Sequence, residues 1–289
     1  RVERVWGWDC HGLPAERFTE KKLGIHSRQE VIEYGIEKYI NATRENMIQT
    51  SSEWEDVVDR IGRWVEFKGA YKTMDKDYME SIWWAFKTLY DKGKIYEGEK
   101  VLMYCTLDGT PLSKAEVTMD SGAYQDITDP SVYVMFKLED GSNLLAWTTT
   151  PWTLPGNTAL AVNKSFTYAE VKVGDEQFIL AKKLLDKVLV DEKHLALDYT
   201  IVRELKGIDL VGKSYQPLLG VDRGTGAHKV WHADYVSDED GSGAVHLAPA
   251  YGEEDFILAQ KNKIPVIHTL DGNGIFTEGE WKGENVWEI

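Results

Sequence analysis

The sequence predicts an α/β protein in which a mostly helical first part is followed by a β-rich, barrel-like second part. Before residue 100, apolar residues recur at the three- and four-residue spacing of amphipathic helices. After residue 130, apolar and polar residues alternate, and glycines mark turns at short intervals, which is typical of a compact β barrel or sandwich. We therefore expect a helical segment at 1–104, a connecting segment at 105–130 and a β-rich domain at 131–289.

Helix-start signals support the first part of this interpretation. A capping box, in which a serine is followed three residues later by glutamate, predicts helix starts at Ser27 with Glu30 and at Ser52 with Glu55. A third helix is predicted over Asp77–Lys92, where large apolar residues repeat at helical spacing and Gly93 provides a C-terminal stop.

Strand signals support the second part. Side chains alternate between apolar and polar over Val132–Leu138, as in a half-buried strand. Two further strands, Tyr168–Val173 and Glu176–Ala181, flank Gly174 and Asp175, a pair suited to a two-residue hairpin turn.

Composition limits the classes of function. With 289 residues, 43% of them hydrophobic and 28% charged, the chain has enough apolar material for about two domains. No apolar run approaches the roughly 20 residues that span a bilayer, so we expect no membrane partner. The net charge of −15 predicts weak nucleic-acid binding by this chain alone, because phosphate neutralisation supplies most non-specific affinity.

Two further features concern the cell compartment and the extent of the chain. The two cysteines, Cys10 and Cys105, are too few for a disulfide framework, which favours the reducing cytoplasm. The chain opens on Arg1 with no methionine and no signal-like segment, so we expect it to be a piece of a longer protein.

The stretch Thr148–Asn157 carries the strongest chemical signal. Three consecutive threonines followed by a proline-braced loop are poor material for a core strand or a helix, but they suit the wall of a polar pocket. Because alternate residues of a strand face opposite sides, at most two of the three hydroxyls are expected to face such a pocket. We favour Thr149 and Thr150 for these positions.

Four stretches, in order along the chain, resemble the class I aminoacyl-tRNA synthetases. They are Gly7–Pro14, the segment from Arg60–Trp64 through Tyr71–Asp75 to Trp83 and Trp84, Thr148–Asn157, and Gly243–Asp255. The threonine motif is most similar to that of the isoleucyl branch, because the valyl and leucyl branches typically carry Thr-Thr-Arg-Pro and an acidic residue where this chain has Thr150 and Trp152.

The resemblance implies the fold and the reaction. The helical part would be a remnant of the Rossmann-type catalytic domain, and the β-rich part would be the editing domain, which hydrolyses valine esterified to the 3′ end of isoleucine tRNA. Neither the His-Ile-Gly-His nor the Lys-Met-Ser-Lys-Ser signature occurs, so we expect no amino-acid activation by this chain alone. Editing would need no cofactor, whereas the complete enzyme would use ATP with Mg²⁺. The expected ligands are the tRNA 3′ end, valine, isoleucine and their adenylates, bound by a monomer.

The resemblance also implies roles for single residues. Thr148, Thr149 and Thr150 would contact the ribose, the ester carbonyl and an attacking water, and Trp152 would contribute to substrate binding. Asp255 matches the carboxylate that holds the substrate's ammonium group. It also fits an ordinary acidic first turn of a helix that begins near Pro249.

His246 and Asp9 complete the set of implied site residues. His246 matches a histidine that lines the side-chain pocket, either as a steric limit that excludes isoleucine or as a general base. Asp9 resembles the residue that meets the amino group of isoleucine in the synthetic site.

Other interpretations stay open at this point. The chain would also suit a module that clamps the tRNA 3′ end without hydrolysis, or an editor of the valyl or leucyl type. Many relatives carry a zinc knuckle where Cys105 stands, but Asp108 replaces its second cysteine. We therefore expect no zinc, since one thiolate does not make a tetrahedral structural site.

Overall fold

A computed structural model describes residues 2–118, 122–191, 193 and 195–288, without the side chains of residues 48–52. The chain divides into two compact units, 1–99 and 100–289. Within the described residues, none of the helices combines the length and the apolar composition that a membrane crossing requires.

The described residues of the first unit form four helices and one pair of strands. The helices are α1 (Leu13–Leu23), α2 (Arg28–Tyr34), α3 (Ile36–Arg60) and α4 (Lys76–Asp91). The strands β1 (Val5–Trp8) and β2 (Glu66–Lys72) pair in parallel.

Two of the predicted helix signals are confirmed. The hydroxyl of Ser27 accepts from the backbone N–H of Glu30 at 3.3 Å and caps α2 at the predicted position, while the Glu30 carboxylate accepts from the N–H of His26, one residue before the cap, at 2.9 Å. Helix α4 covers the predicted segment, and Gly93 follows it with a positive φ of 64°, a conformation that glycine adopts without steric cost.

The helix start predicted at Ser52 is wrong. Residue 52 lies inside α3, which continues without a break to Arg60. A capping box marks a helix start only where the preceding backbone is not helical, and the residues before Ser52 contain no proline or glycine that would end the helix.

In its described residues, the second unit is built mainly on two larger open sheets. The larger sheet has the strand order β10-β8-β9-β6-β5, and the smaller one has the order β11-β7-β12. Their strands are β5 (Val132–Lys137), β6 (Asn143–Thr148), β7 (Ala159–Val162), β8 (Thr167–Val173), β9 (Glu176–Ala181), β10 (Thr200–Lys206), β11 (Lys229–His232) and β12 (Ala244–Leu247).

The second unit also contains smaller elements. They include β3 (Tyr104–Cys105), β4 (Thr110–Pro111), a 3₁₀ helix at Pro151–Gly156, α5 (Leu185–Val188) and α6 (Glu253–Asn262). The predicted strand at Val132–Leu138 and the hairpin around Gly174 are confirmed, because β5 covers the first and β8 pairs antiparallel with β9 in the second.

The mixed α/β class is confirmed, but the barrel-like detail is wrong. Among the described residues, neither sheet closes on itself: β5 and β10 are the two edges of the larger sheet. The chain leaves that sheet after β6 through the 3₁₀ helix, which contains Pro151 and Pro155. A proline has no N–H to donate to a sheet ladder, so this segment does not continue the strand pairing that closure requires.

One apolar core joins the two sheets. Residues of the larger sheet pack with residues of the smaller one, and the cluster includes Leu144, Leu160, Val162, Tyr168, Ile179, Val230 and Ala244, all at most 2% exposed. Burying one such large aliphatic side chain contributes about 1.5–3 kcal/mol. The core thus holds β6 against β12, the two strands that carry the candidate site residues.

Candidate functional site

The threonine-rich stretch begins where β6 ends. Thr148 is its last strand residue and is buried, while Thr149 and Thr150 are exposed. The backbone N–H of Thr150 donates to the Thr148 hydroxyl at 3.1 Å, and the hydroxyl oxygens of Thr148 and Thr150 lie 3.2 Å apart. The two hydroxyls that lie together are thus those of Thr148 and Thr150. Thr149 and Thr150, which we expect to face a pocket, are the two exposed residues of the three.

The 3₁₀ helix joins this stretch to the neighbouring sheet through Thr153. Its hydroxyl donates to the carbonyl of Thr150 at 2.8 Å and lies 2.8 Å from Nε2 of His246 on β12. The Asn157 amide nitrogen lies 3.5 Å from the other ring nitrogen, Nδ1, and donates to the carbonyl of Ala159 at 3.0 Å. One buried histidine therefore connects both ends of the 3₁₀ segment to β12.

The hydrogen-bond pattern assigns the protonation of His246. The Asn157 amide nitrogen directs one hydrogen at the Ala159 carbonyl and faces Nδ1 with the other, so Nδ1 is the acceptor and the hydrogen in the contact with Thr153 belongs to Nε2. Burial lowers the pKa of His246 to about 4, because the charged form loses its hydration. The ring is neutral near pH 7, and both of its nitrogens are engaged.

This arrangement bears on the two roles considered for His246. A general base needs a free lone pair within reach of the proton it removes. The lone pair of Nδ1 faces the Asn157 amide, and Nε2 carries a hydrogen directed at Thr153. In this arrangement neither nitrogen of the ring, which is 6% exposed, offers a free lone pair.

Asp255 lies in the first turn of α6 and has an oriented carboxylate. One oxygen accepts from the backbone N–H of Ala248 at 3.0 Å, and the other accepts from the Tyr235 hydroxyl at 3.2 Å. Burial raises the pKa of Asp255, and these two hydrogen bonds oppose the shift. Each oxygen keeps a further lone pair, so the carboxylate still has acceptor capacity for a ligand.

Gly252 makes room for this carboxylate. A Cβ placed at Gly252 would lie 2.9 Å from Asp255 Oδ2, closer than real Cβ contacts. The φ of Gly252, −117°, is one that any residue adopts, so a larger residue is disfavoured here by contact with the carboxylate and not by the backbone conformation. Ala248, which fixes the same carboxylate, stands two residues after His246. One turn of the chain, between β12 and α6, thus separates His246 from Asp255 in the sequence.

Trp152 packs against this same turn. Its ring lies 5.2 Å from that of Tyr251 at an interplanar angle of 70°, and the Tyr251 hydroxyl accepts from the backbone N–H of Thr269 at 2.7 Å. On the loop, an Arg223 guanidinium N–H donates to the Pro155 carbonyl at 2.5 Å. The loop is therefore held by residues from several separate segments.

The remaining candidates lie outside this cluster. Asp9 belongs to the first unit, is exposed, and accepts from the backbone N–H of His11 at 3.3 Å. Cys105 Sγ lies 3.3 Å from an Asp108 carboxylate oxygen. In the part of the chain that the structure describes, no three His, Cys, Asp or Glu residues form a group able to hold a metal ion.

Sequence reasoning missed four residues that contribute to the cluster. Thr153 and Asn157 stand inside the threonine motif, so a signal for them was present. Tyr215, whose hydroxyl donates to Asn157 Oδ1 at 2.6 Å, and Tyr235 stand in segments without any motif. Only the fold brings these two hydroxyls to the site.

Comparison with known proteins agrees with the motifs. A family model of class I tRNA synthetases for isoleucine, leucine, methionine and valine matches residues 1–212. The chain belongs to this family.

Curated relatives place it near one branch of the class I tRNA synthetases. The chain is 43% identical to the isoleucine–tRNA ligase of Clostridium tetani over 98% of its own length and 27% of that protein. It is also 43% identical to isoleucine–tRNA ligase 2 of Pseudomonas fluorescens, over 100% of its own length and 28% of that protein. The predicted resemblance to the isoleucyl branch is confirmed, and the chain spans about a quarter of the length of these relatives.

Solved structures of other class I synthetases are more distant. The crystal structure of GlLeuRS-CP1 matches with a TM-score of 0.41 and 16% identity, covering 51% of this chain and 76% of that one. The editing domain of the P. falciparum cytosolic leucyl-tRNA synthetase matches with a TM-score of 0.41 and 13% identity, covering 50% of this chain and 72% of that one.

Proposed function

We propose that this chain carries the proofreading site of an isoleucyl-tRNA synthetase and hydrolyses valine esterified to the 3′ end of isoleucine tRNA. The observation that carries the proposal is the 2.8 Å contact between Thr153 and His246. It joins the threonine-rich loop to the strand that leads, through one turn, to the carboxylate of Asp255.

The reaction needs few protein groups. Water attacks the ester carbonyl carbon, the bond from that carbon to the ribose oxygen breaks, and the ribose oxygen takes up a proton as free valine leaves. Positioned donors that meet the developing oxyanion supply much of the acceleration in such reactions. The hydroxyls of Thr148, Thr149 and Thr150, with their backbone N–H groups, are our candidates for orienting the ribose, the carbonyl and the water.

Asp255 distinguishes an aminoacyl ester from other esters. Its carboxylate would hold the free ammonium group of the substrate, an attraction of about 4 kcal/mol at 4 Å for an effective dielectric near 20, before the cost of desolvation. Because burial raises the pKa of Asp255, the group requires its hydrogen bonds from Ala248 and Tyr235 to stay ionised in this place.

His246 would set the size limit. A synthetic pocket that accepts isoleucine cannot strongly reject valine, because one methylene is worth only about 1–3 kcal/mol, a limit for which isoleucyl-tRNA synthetases are themselves the standard example. A second pocket must therefore admit valine and exclude isoleucine by size. A neutral, buried imidazole held at both ring nitrogens is a rigid wall for this purpose.

The other assignments follow from the family. Trp152 would contact the substrate at the rim of the loop, and Asp9 would meet the amino group of isoleucine in the synthetic site of a complete enzyme. That enzyme would use ATP with Mg²⁺, and this chain contains neither of the two signature sequences that bind ATP in the family. We further propose a monomer in the cytoplasm that acts on valine, isoleucine and their adenylates. The two free cysteines support this compartment.

Deacylation of purified valyl-tRNA by the 289-residue chain tests the proposal. We expect hydrolysis by the unaltered chain, loss of hydrolysis in Asp255→Ala, and unchanged hydrolysis in Glu254→Ala, which removes an exposed carboxylate from the neighbouring position. Equal activity of the two variants would contradict the role of Asp255.

The same assay separates the alternatives. Binding of the tRNA without any deacylation would favour a module that clamps the 3′ end. Preferential cleavage of threonyl or methionyl esters would favour an editor of the valyl or leucyl type.

A further inference from the structure

The hydroxyl of Tyr215 is buried beside the site without being needed for packing. The residue is 3% exposed, and its ring lies edge-on to Phe136 in the core with 5.4 Å between the ring centres. A phenylalanine would fill the same space. Burying a hydroxyl costs free energy unless it finds a partner, and this one donates to Asn157 Oδ1 at 2.6 Å. The role of the hydroxyl must therefore lie in that hydrogen bond.

From this hydroxyl, a chain of hydrogen bonds runs in one direction. The Asn157 amide nitrogen directs one hydrogen to the Ala159 carbonyl and faces His246 Nδ1 with the other. Two contacts fix the orientation of the amide together: reversing it would set Oδ1 against the Ala159 carbonyl and would leave the hydroxyl hydrogen of Tyr215 without its acceptor. Nδ1 faces a donor and carries no hydrogen. Nε2 therefore carries it and donates to Thr153, which donates to the Thr150 carbonyl.

We propose that Tyr215 is a positioning residue of this site: through Asn157 it sets the tautomer of His246, and through His246 it holds Thr153 and the threonine-rich loop against β12. Five groups, ending at the Thr150 carbonyl, are linked donor to acceptor with no donor left over. The kinetic consequence of this relay rests on the proposed proofreading function, whereas its consequence for the His246 tautomer does not.

Two conservative variants separate positioning from plain stability. Tyr215→Phe keeps the ring and removes the hydroxyl that starts the relay. The matched control is Tyr168→Phe: Tyr168 is fully buried in the same core, and its hydroxyl donates to the Gly243 carbonyl at 2.6 Å. Tyr215→Phe loses one hydrogen bond, which leads through Asn157 to His246. Tyr168→Phe loses two, the one to the Gly243 carbonyl and the one from the Asn163 N–H, and neither of them leads to His246.

The first measurement needs no substrate. Nitrogen-15 NMR of the imidazole side chains reports which ring nitrogen carries the hydrogen, and loss of one signal in His246→Gln assigns His246. We expect the Nε2–H form in the unaltered chain and in Tyr168→Phe, and a mixture of both tautomers in Tyr215→Phe. The second measurement is valyl-tRNA deacylation, in which Tyr215→Phe should lower kcat about tenfold with little change in KM, while Tyr168→Phe leaves both unchanged.

The outcomes are distinct. The proposal is overturned if His246 carries its hydrogen on Nδ1 in the unaltered chain, or if the two tyrosine variants behave alike in both measurements. If the unaltered chain does not cleave valyl-tRNA but Tyr215→Phe still changes the tautomer, the proposed function fails and the relay stands.

Discussion

Replacing Thr153 by valine removes one hydroxyl from the buried centre of the site and keeps the shape of the side chain. That hydroxyl accepts from His246 Nε2 and donates to the Thr150 carbonyl, both at 2.8 Å, and the two side chains are only 5% and 6% exposed. The Thr150 carbonyl keeps a second donor, the backbone N–H of Thr153 at 3.0 Å. The main loss therefore falls on the imidazole.

The size of the loss follows from the fate of that ring. A buried donor left without an acceptor costs about 1–3 kcal/mol. Moving the hydrogen to Nδ1 does not relieve this cost, because Nδ1 would then face the amide hydrogens of Asn157. We expect Thr153→Val to lower the free energy of unfolding by about 2 kcal/mol. Urea-dependent hydrogen exchange of the backbone amides of β7 and β12, measured on the intact chain, reports the free energy of unfolding for the strands next to His246.

Thr158 provides a matched control. It is fully buried, and among the described residues its hydroxyl has no hydrogen-bond partner. Thr158→Val removes an unsatisfied polar group, so we expect unchanged or slightly increased stability. If Thr153→Val and Thr158→Val lower the free energy of unfolding equally, the hydrogen-bond argument is refuted, because the loss would then not depend on whether the hydroxyl has a partner.

Three further outcomes follow from the structure. The pKa of His246 is about 4 in the folded chain and about 6.5 in the unfolded chain, so between these pH values the unfolded chain binds one more proton. The free energy of unfolding should therefore fall by about 3 kcal/mol as the pH drops from 6.5 to 4. In urea titrations, His246→Gln should remove this part of the pH dependence. Gly252→Ala should displace the Asp255 carboxylate and lower valyl-ester cleavage as Asp255→Ala does, with circular dichroism unchanged. Gly243→Ala should instead unfold the second unit at lower urea concentration, since its Cβ would lie 2.3 Å from Ala181 Cβ at a φ of +78°.

Local signals in the sequence predicted the local structure well. The helix start at Ser27, the helix ended by Gly93 and the hairpin at Gly174 each depend on interactions within a few residues, and all three are confirmed. The same kind of signal failed at Ser52, because the helix already running through that position decides the backbone there.

Longer-range structure was less accessible. The parallel pairing of β1 with β2 joins residues about sixty positions apart and was not predicted. The glycine-rich turns suggested closure into a barrel, whereas prolines 151 and 155 divert the chain into a 3₁₀ helix and leave two open sheets. Turn composition shows that the chain reverses, but it does not show which strands become neighbours.

The sequence by itself determined the family and the chemical types at the site: a threonine cluster, a histidine and a carboxylate, in order along the chain. Only the tertiary structure decided how they act together. The contacts that set the tautomer of His246 join positions 58 to 93 residues apart, and no local pattern encodes such pairings. A buried hydrogen bond has a direction as well as two partners, and that direction exists only once packing has excluded water and brought Tyr215, Asn157 and Thr153 to the same ring.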